Sequence, residues 1–413
     1  MPVFRPFRAI RPVPDKAKDI ASLPYDVMNS EEAREEVKKN PLSYIHVEKA
    51  EVDLPEDIDH YAEEVYQKAK ENLYNYVKNG HMAQDEKPMF YVYREIMGDV
   101  SQTGLVGCTA VDDYMNNLIK KHELTRAAKE ADRIKHVYTC AAHASPVFFT
   151  YPHKDAIDAI VQKTTEKKPE YDFTADDGVK HTLWLMDDAN DIKAISDAFE
   201  AMPYLYVADG HHRTASAAKV GLRLREENPD FTGEEEFNYF MAVIFPDNQL
   251  YVMDYNRVVK DLHGHSDEEY FELVMKNFAV EEIGKEAYKP EARHNFGMFI
   301  NGTWYKLTAK EGSYDANDPV KALDVSILQD NLLAPILGIG DPRTDERIDF
   351  IGGIRGLKEL EKRVNNGEKV AFSMFPTSMQ ELMDIADAGQ IMPPKSTWFE
   401  PKLRSGLFIH PLH

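Results

Sequence analysis

The sequence predicts an α/β protein, α+β in the sense that its sheet is mixed in strand direction, and three observations carry the prediction. In mid-chain a helical stretch over 191–202 leads into the strand-like Tyr204-Leu205-Tyr206-Val207-Ala208, and then into a run of small helix formers, Ala215, Ala217 and Ala218 with Leu222 and Leu224, which Asn228-Pro229 stops. Strand-like and helical segments alternate on both sides of that stretch. The composition, 43% apolar and 29% charged over 413 residues, supports a large core and two or three domains.

Taken in order, residues 1–27 form an extended segment punctuated by Pro and Arg. It ends on Leu23-Pro24-Tyr25-Asp26-Val27, where Asp26 is either a turn residue bonding its own backbone or part of a site. Ser30 with Glu31 and Glu32 opens a polar helix over 30–39, closed before Asn40-Pro41. Residues 43–47 read as a strand, and 58–77 as an amphipathic packing helix through Tyr61, Val65, Ala69, Leu73 and Val77. Residues 89–93 and 103–111 read as a hairpin around Gly98-Asp99. A strand at 147–150, a helix at 155–163 and a strand at 181–186 lead to the central stretch. Beyond the acidic link 226–236, residues 239–245 and 250–253 read as a second hairpin around Pro246-Asp247-Asn248. A boundary near Leu262-His263-Gly264-His265 divides the chain into 1–262 and 263–413. The second part shows a helix at 268–277, a hairpin whose turn is Asn301-Gly302, and a helix at 323–331.

Several classes of function are disfavoured. No apolar run reaches the ~18 residues of a membrane span, and the basic start lacks the hydrophobic stretch of a signal peptide, so a cytoplasmic protein is expected. A net charge of −22 opposes nucleic acid and anionic lipid as partners, while leaving room for a local basic pocket. Cys108 and Cys140 are far apart in sequence and suggest neither a disulfide framework nor a zinc site. Gly338-Ile339-Gly340-Asp341 is followed by Pro342 and opens no Rossmann helix, and there is no Gly-x-x-x-x-Gly-Lys-Ser/Thr loop. His122-Glu123 begins a zinc-protease motif, but Arg126 stands where its second histidine belongs.

What the residues favour is an anion site. A strand, an Asp209-Gly210 turn and a helix opening with His211-His212-Arg213 bring unpaired helical N–H groups, the positive end of the helix dipole, two imidazoles and a guanidinium together. Asp209 is expected to cap the helix. A second polar concentration, Lys121-His122-Glu123-Leu124-Thr125-Arg126 with Asp132-Arg133, is either a surface ion-pair cluster or the lining of a cleft. The tail over 392–407, Met392-Pro393-Pro394-Lys395-Ser396-Thr397-Trp398-Phe399-Glu400-Pro401-Lys402-Leu403-Arg404-Ser405-Gly406-Leu407, combines prolines, hydroxyls, cations and aromatics; it is either an extended segment pinned by Trp398 and Phe399 or, as expected here, one that also delivers Lys395 and Ser396 into the same cleft.

Leu23-Pro24-Tyr25-Asp26-Val27, His122-Glu123-x-Thr125, Ala208-Asp209-Gly210-His211-His212-Arg213 and the 392–397 tail together resemble the signature of the domain-of-unknown-function family 1015, over essentially the whole chain. Separately, Asp209-Gly210-His211-His212-Arg213 is similar to the nucleotide-phosphate motif of the ParB/sulfiredoxin superfamily, which includes free-serine kinases. The resemblance implies a ParB/sulfiredoxin-like core with large insertions, and phosphoryl transfer from ATP or ADP, with Mg²⁺, to the hydroxyl of free L-serine. By the same resemblance Gly210, His211, His212, Arg213 and Thr214 would hold phosphates, with His212 also catalytic. Asp209 would orient the site or hold the metal, and Glu123 would be the base. Asp26, Thr125, Arg133, Lys395 and Ser396 would face the amino-acid acceptor. A nucleotide-binding switch without an acceptor is the alternative on the same motif.

Overall fold

A computed structural model describes residues 1–413, which form two compact units: Met1–Leu250 with Pro401–His413, and Tyr251–Glu400. The expected boundary at 262 thus lies inside the second unit. Residues 255–259 pair with strands from 348–352 and 370–373, and those partners lie too far along the chain for local pattern to show.

In the first unit nine strands form one mixed sheet. They are β1 (Phe4–Arg5), β2 (Phe90–Met97), β3 (Val100–Ala110), β4 (Ile119–Lys120), β5 (Val147–Tyr151), β6 (Tyr171–Thr174), β7 (Lys180–Met186), β8 (Leu205–Asp209) and β9 (Tyr239–Pro246). The order across the sheet is β4-β8-β5-β9-β3-β2-β7-β6, with β1 paired to β3. Only β4/β8 and β5/β9 run parallel. The apolar runs of β5 and β9 follow from that place: both lie inside the sheet and every residue of β5 is buried. Phe4 and Phe90 stack at 4.8 Å inside the core, and Gly107 makes room for them, since a Cβ there would fall 2.6 Å from the Phe4 ring.

Helices α1 (Ser30–Lys39), α2 (Glu63–Lys78), α3 (Ala127–Cys140), α4 (Asp155–Thr165), α5 (Ala189–Glu200) and α6 (His211–Glu227) belong to this unit. A capping box between Asn29 and Glu32 starts α1 where the sequence places it. Helix α6 is almost wholly small or buried on the side that meets α3, and the Ser216 hydroxyl donates to the Glu130 carbonyl of that neighbour. At Gly221 a Cβ would meet the Phe237 carbonyl at 2.6 Å, so this helix packs closer than any side chain allows.

Two strand readings are corrected. Residues 43–47 belong to a turn and the short helix Ile45–Glu48, and the carbonyls just before it, at Leu42 and Ser43, accept from the Tyr76 hydroxyl; no strand pairs with this apolar run. Tyr251–Met253 does not return on β9 but pairs with Trp398–Glu400 in the second unit. That unit is built on an antiparallel six-stranded sheet in the order Phe278–Gly284, Thr303–Ala309, Asn295–Ile300, Val370–Ser373, Tyr255–Val259, Ile348–Gly352. The Asn301-Gly302 hairpin forms as expected, both residues having positive φ (53° and 76°) as a type I′ turn requires. The helix expected over 323–331 covers only Asp324–Leu328 before it widens into a π turn. No helix is long and apolar enough to cross a membrane.

Candidate anion-binding site

Strand β8 ends on Asp209, and α6 begins at His211. Gly210 between them has φ 84° and ψ 34°, left-handed values that cost a glycine nothing. This corrects the expected cap. Gly210 itself is the N-cap, and the Asp209 carboxylate turns back to accept the Gly210 N–H at 2.7 Å instead of reaching into the first turn. The helical N–H groups of His211, His212 and Arg213 therefore have no acceptor within the helix, the arrangement that binds anions. Thr214 does not fit the phosphate role: its N–H and its hydroxyl both go to the Gly210 carbonyl, at 2.9 and 3.1 Å, and the residue is fully buried.

The Arg213 guanidinium folds back under the turn. Its Nη1 donates to the Pro146 carbonyl at 2.7 Å, and its Nε is buried without a partner. A Cβ on Gly210 would stand 3.2 Å from Nε and Nη2, so glycine is needed here for close approach as well as for φ. Lys402, which sequence reasoning did not single out, reaches the other oxygen of Asp209 at 3.2 Å. Burial pushes the Asp209 carboxyl upward, but the charges of Lys402 and Arg213 and the Gly210 N–H outweigh it and hold the acid well below the ordinary carboxylate range. The signal that could have found Lys402 is the Pro401-Lys402 pair within the tail, after its two aromatics, where the chain returns to the first unit.

Residues 119–126 leave β4, the parallel neighbour of β8, and so arrive beside the turn. His122 is buried edge-to-face on His211, with ring centres 4.4 Å apart. Burial drags the His122 imidazole down to about 4, against the pull of Asp209, and burial with His122 beside it takes His211 well below its ordinary value. Both rings are neutral at pH 7, and His122 Nδ1 and His211 Nε2 have no partner. The half-exposed Glu123 carboxylate lies 3.8 Å from His211 Nδ1. His212 Nε2 accepts the Arg126 N–H at 2.9 Å, which fixes its tautomer with the proton on Nδ1; burial and then Lys129 and Arg126 lower its affinity for a second proton. Thr125 donates to Glu130 at 2.7 Å, and Lys219 pairs with the same carboxylate.

Two of the other expected site residues, Arg133 and Ser396, are engaged elsewhere. Arg133 is buried, donates to Asp132 at 2.8 Å, lies 3.8 Å from the buried Glu48 and covers the Tyr25 ring at 4.1 Å. It is a packed ion-pair centre and not a free cation for a substrate. Burial raises the Tyr25 hydroxyl to about 12, with Arg133 opposing. Asp26, the next residue, is close enough to His212 to favour its charged form. Lys395 and Ser396 belong to the second unit, where the Ser396 hydroxyl is buried and donates to the Pro393 carbonyl at 2.6 Å.

Fold and site together define a mixed α/β protein whose strand–turn–helix junction leaves the first helical N–H groups without acceptors in the helix. The chain belongs to the DUF1015 family of proteins of unknown function, whose model matches residues 4–326. No curated protein matches it. Similar solved structures include a free serine kinase variant in complex with ADP, 13% identical, covering 73% of this chain and 91% of that one at a TM-score of 0.37. SbnI with a C-terminal truncation from Staphylococcus aureus is 11% identical, with coverages of 74% and 87% and a TM-score of 0.40. A conserved hypothetical protein from Pyrococcus furiosus is 14% identical, with coverages of 73% and 93% and a TM-score of 0.35.

Proposed function

We propose that this chain is a nucleotide-dependent phosphotransferase that moves a phosphoryl group from ATP or ADP to the hydroxyl of free L-serine, giving O-phosphoserine. The observation that carries the reading is the meeting, at the end of β8, of a helix start on a left-handed glycine, the Arg213 guanidinium and an acid kept ionised by Lys402. Phosphoryl transfer asks chiefly for positioning and for positive charge around the transferred oxygens, and backbone N–H groups with Arg213 and Lys402 supply both. The serine oxygen forms a bond to the terminal phosphorus as the bond to the leaving phosphate oxygen breaks, and Glu123 takes the hydroxyl proton.

No cluster of three or more His, Cys, Asp or Glu side chains is arranged to hold a metal alone. Asp209 fits Mg²⁺ as a single carboxylate ligand to an ion brought in by the nucleotide, with Lys402 giving up its place. When bound, that ion neutralises phosphate charge. The protein's own groups hold and orient.

A second reading, a nucleotide-binding switch without an acceptor, is favoured by one observation: the Asp132–Arg133–Glu48 cluster removes a cation expected to face the amino-acid carboxylate. Incubation with ATP or ADP, Mg²⁺ and a mixture of free amino acids, followed by mass spectrometry, separates the two. Phosphoserine formed by the wild type and lost in Arg213→Ala supports the kinase. Nucleotide binding without any phosphorylated amino acid supports the switch, and nucleotide affinity unchanged in Arg213→Ala refutes both.

A further inference from the structure

Arg257 lies on the inner strand Tyr255–Val259 of the second unit and is 3% exposed, yet no acid pairs with it. Its Nη1 donates to the Tyr255 carbonyl and its Nη2 to the Lys395 carbonyl at 3.1 Å, and the guanidinium rests 5.5 Å from the centre of the Phe350 ring. Two of the five N–H donors of a guanidinium are thereby used, both on uncharged oxygens. Nearby acids are engaged elsewhere: Asp254 with Asn256 and Lys289, and Glu400 with the Trp398 indole. Buried charges are ordinarily paired, because removing a cation from water without a counter-charge is costly.

The carbonyl that accepts from Arg257 Nη2 belongs to a second cationic residue, Lys395. Lys395 is exposed, has no carboxylate partner, and holds its ammonium 5.5 Å from the Tyr255 ring centre. Its φ is 62°, a left-handed value that a lysine adopts only where its surroundings impose it. They do so here. Ser396 closes the turn onto Pro393, Thr377 donates to the Ser396 carbonyl at 3.0 Å, and Trp398 is wedged between Tyr255 and Gly352, where a Cβ would fall 2.8 Å from the indole.

We propose that Arg257 and Lys395 form a second anion site, in the second unit, for a small molecule bearing a phosphate or carboxylate group. The ligand's oxyanion supplies the counter-charge that the fold withholds from Arg257, and the strained Lys395 backbone holds its ammonium ready at the rim. The site stands apart from the reading of the Asp209 junction and survives that reading's failure.

The test uses the full chain in an Arg213→Ala background, which removes the phosphate grip of the first unit. Inorganic phosphate and acetate are titrated separately at constant ionic strength, with calorimetry and thermal unfolding as readouts. Binding of one or both is expected, the stronger anion naming the ligand's charged group, with affinity at least tenfold weaker in Lys395→Gln. Because Lys395 is exposed, that variant should fold. Lys395→Gly should raise the Tm of the ligand-free protein, by relieving the left-handed strain, and still weaken binding. Equal affinity in Lys395→Gln, or no heat from either anion at about 10 mM, ten times a millimolar Kd, overturns the proposal. A fall in ligand-free Tm for Lys395→Gly overturns it too, since the lysine would then be serving the fold.

Discussion

Replacing Lys402 by Met removes the one cation ion-paired to Asp209 and keeps most of its apolar stem. Two unit charges 3.2 Å apart attract by ~5 kcal/mol at an effective dielectric of about 20 and by ~1.3 kcal/mol in bulk water. The Lys402 side chain is 17% exposed but that of Asp209 is 37% exposed, so solvent screening moves the expected value toward the lower limit, about 1–2 kcal/mol. For a unit of this size that lowers Tm by roughly 2–5 °C at pH 7. The loss should depend on pH in a definite sense. Asp209 has a folded pKa below its unfolded value of ~3.9, so its contribution is fully present above about pH 5 and fades as pH falls toward the folded value. The stability gap between wild type and Lys402→Met should therefore close only where Asp209 takes up its proton in the fold, a point that Arg213 and the Gly210 N–H keep below the ordinary carboxylate range even without Lys402. A double-mutant cycle with Asp209→Asn, measured by urea unfolding at pH 7, should return a coupling of about 1–2 kcal/mol. A coupling near zero would show that Lys402 matters only through packing.

Glu123→Gln should reduce serine phosphorylation by roughly 10²-fold with nucleotide affinity nearly intact, as expected for loss of a base; steady-state rates and a nucleotide titration check this, and near wild-type turnover would move the role to Asp26. Gly210→Ala should destabilise by about 1–2 kcal/mol in urea unfolding, because its φ of 84° is left-handed and the new Cβ crowds Arg213 at 3.2 Å. Gly221→Ala gains up to about 1 kcal/mol of helix propensity yet places a Cβ 2.6 Å from a backbone carbonyl that cannot swing aside, so the net change should be destabilising, and a higher Tm would contradict the close packing of α6. His122 is neutral in the fold to about pH 4 but takes a proton near 6.5 when unfolded, so the unfolded chain binds more protons between those values and stability falls as pH drops through that window. His122→Gln should flatten the fall by up to one proton, as read from unfolding free energies at pH 5 and pH 7.

The mixed α/β class and the strand–turn–helix around Asp209-Gly210-His211-His212-Arg213 were legible in the sequence, because each rests on local rules. An apolar run, a left-handed glycine and a string of small residues specify strand, turn and close-packed helix without help from the rest of the chain. The helix at Ser30–Lys39 and the Asn301-Gly302 hairpin were legible for the same reason, since Ser30 with Glu31 and Glu32, the Asn40-Pro41 stop and the Asn-Gly turn all act on neighbours in sequence. Tertiary structure alone decided what those elements meet. Lys402 lies 193 positions from Asp209, Tyr251–Met253 pairs with Trp398–Glu400 instead of its sequence neighbour, and Arg133 proves to be packed on Tyr25 between Asp132 and Glu48. Ion pairing and strand pairing act through space, and the sequence distance between partners sets only the entropy of closing the loop, which grows too slowly with length to name the partner. For that reason the backbone of the Asp209–Arg213 junction could be read from its own residues, while the charges that tune it, and the guanidinium of Arg257 without an acid partner in the second unit, became visible only once the chain was folded.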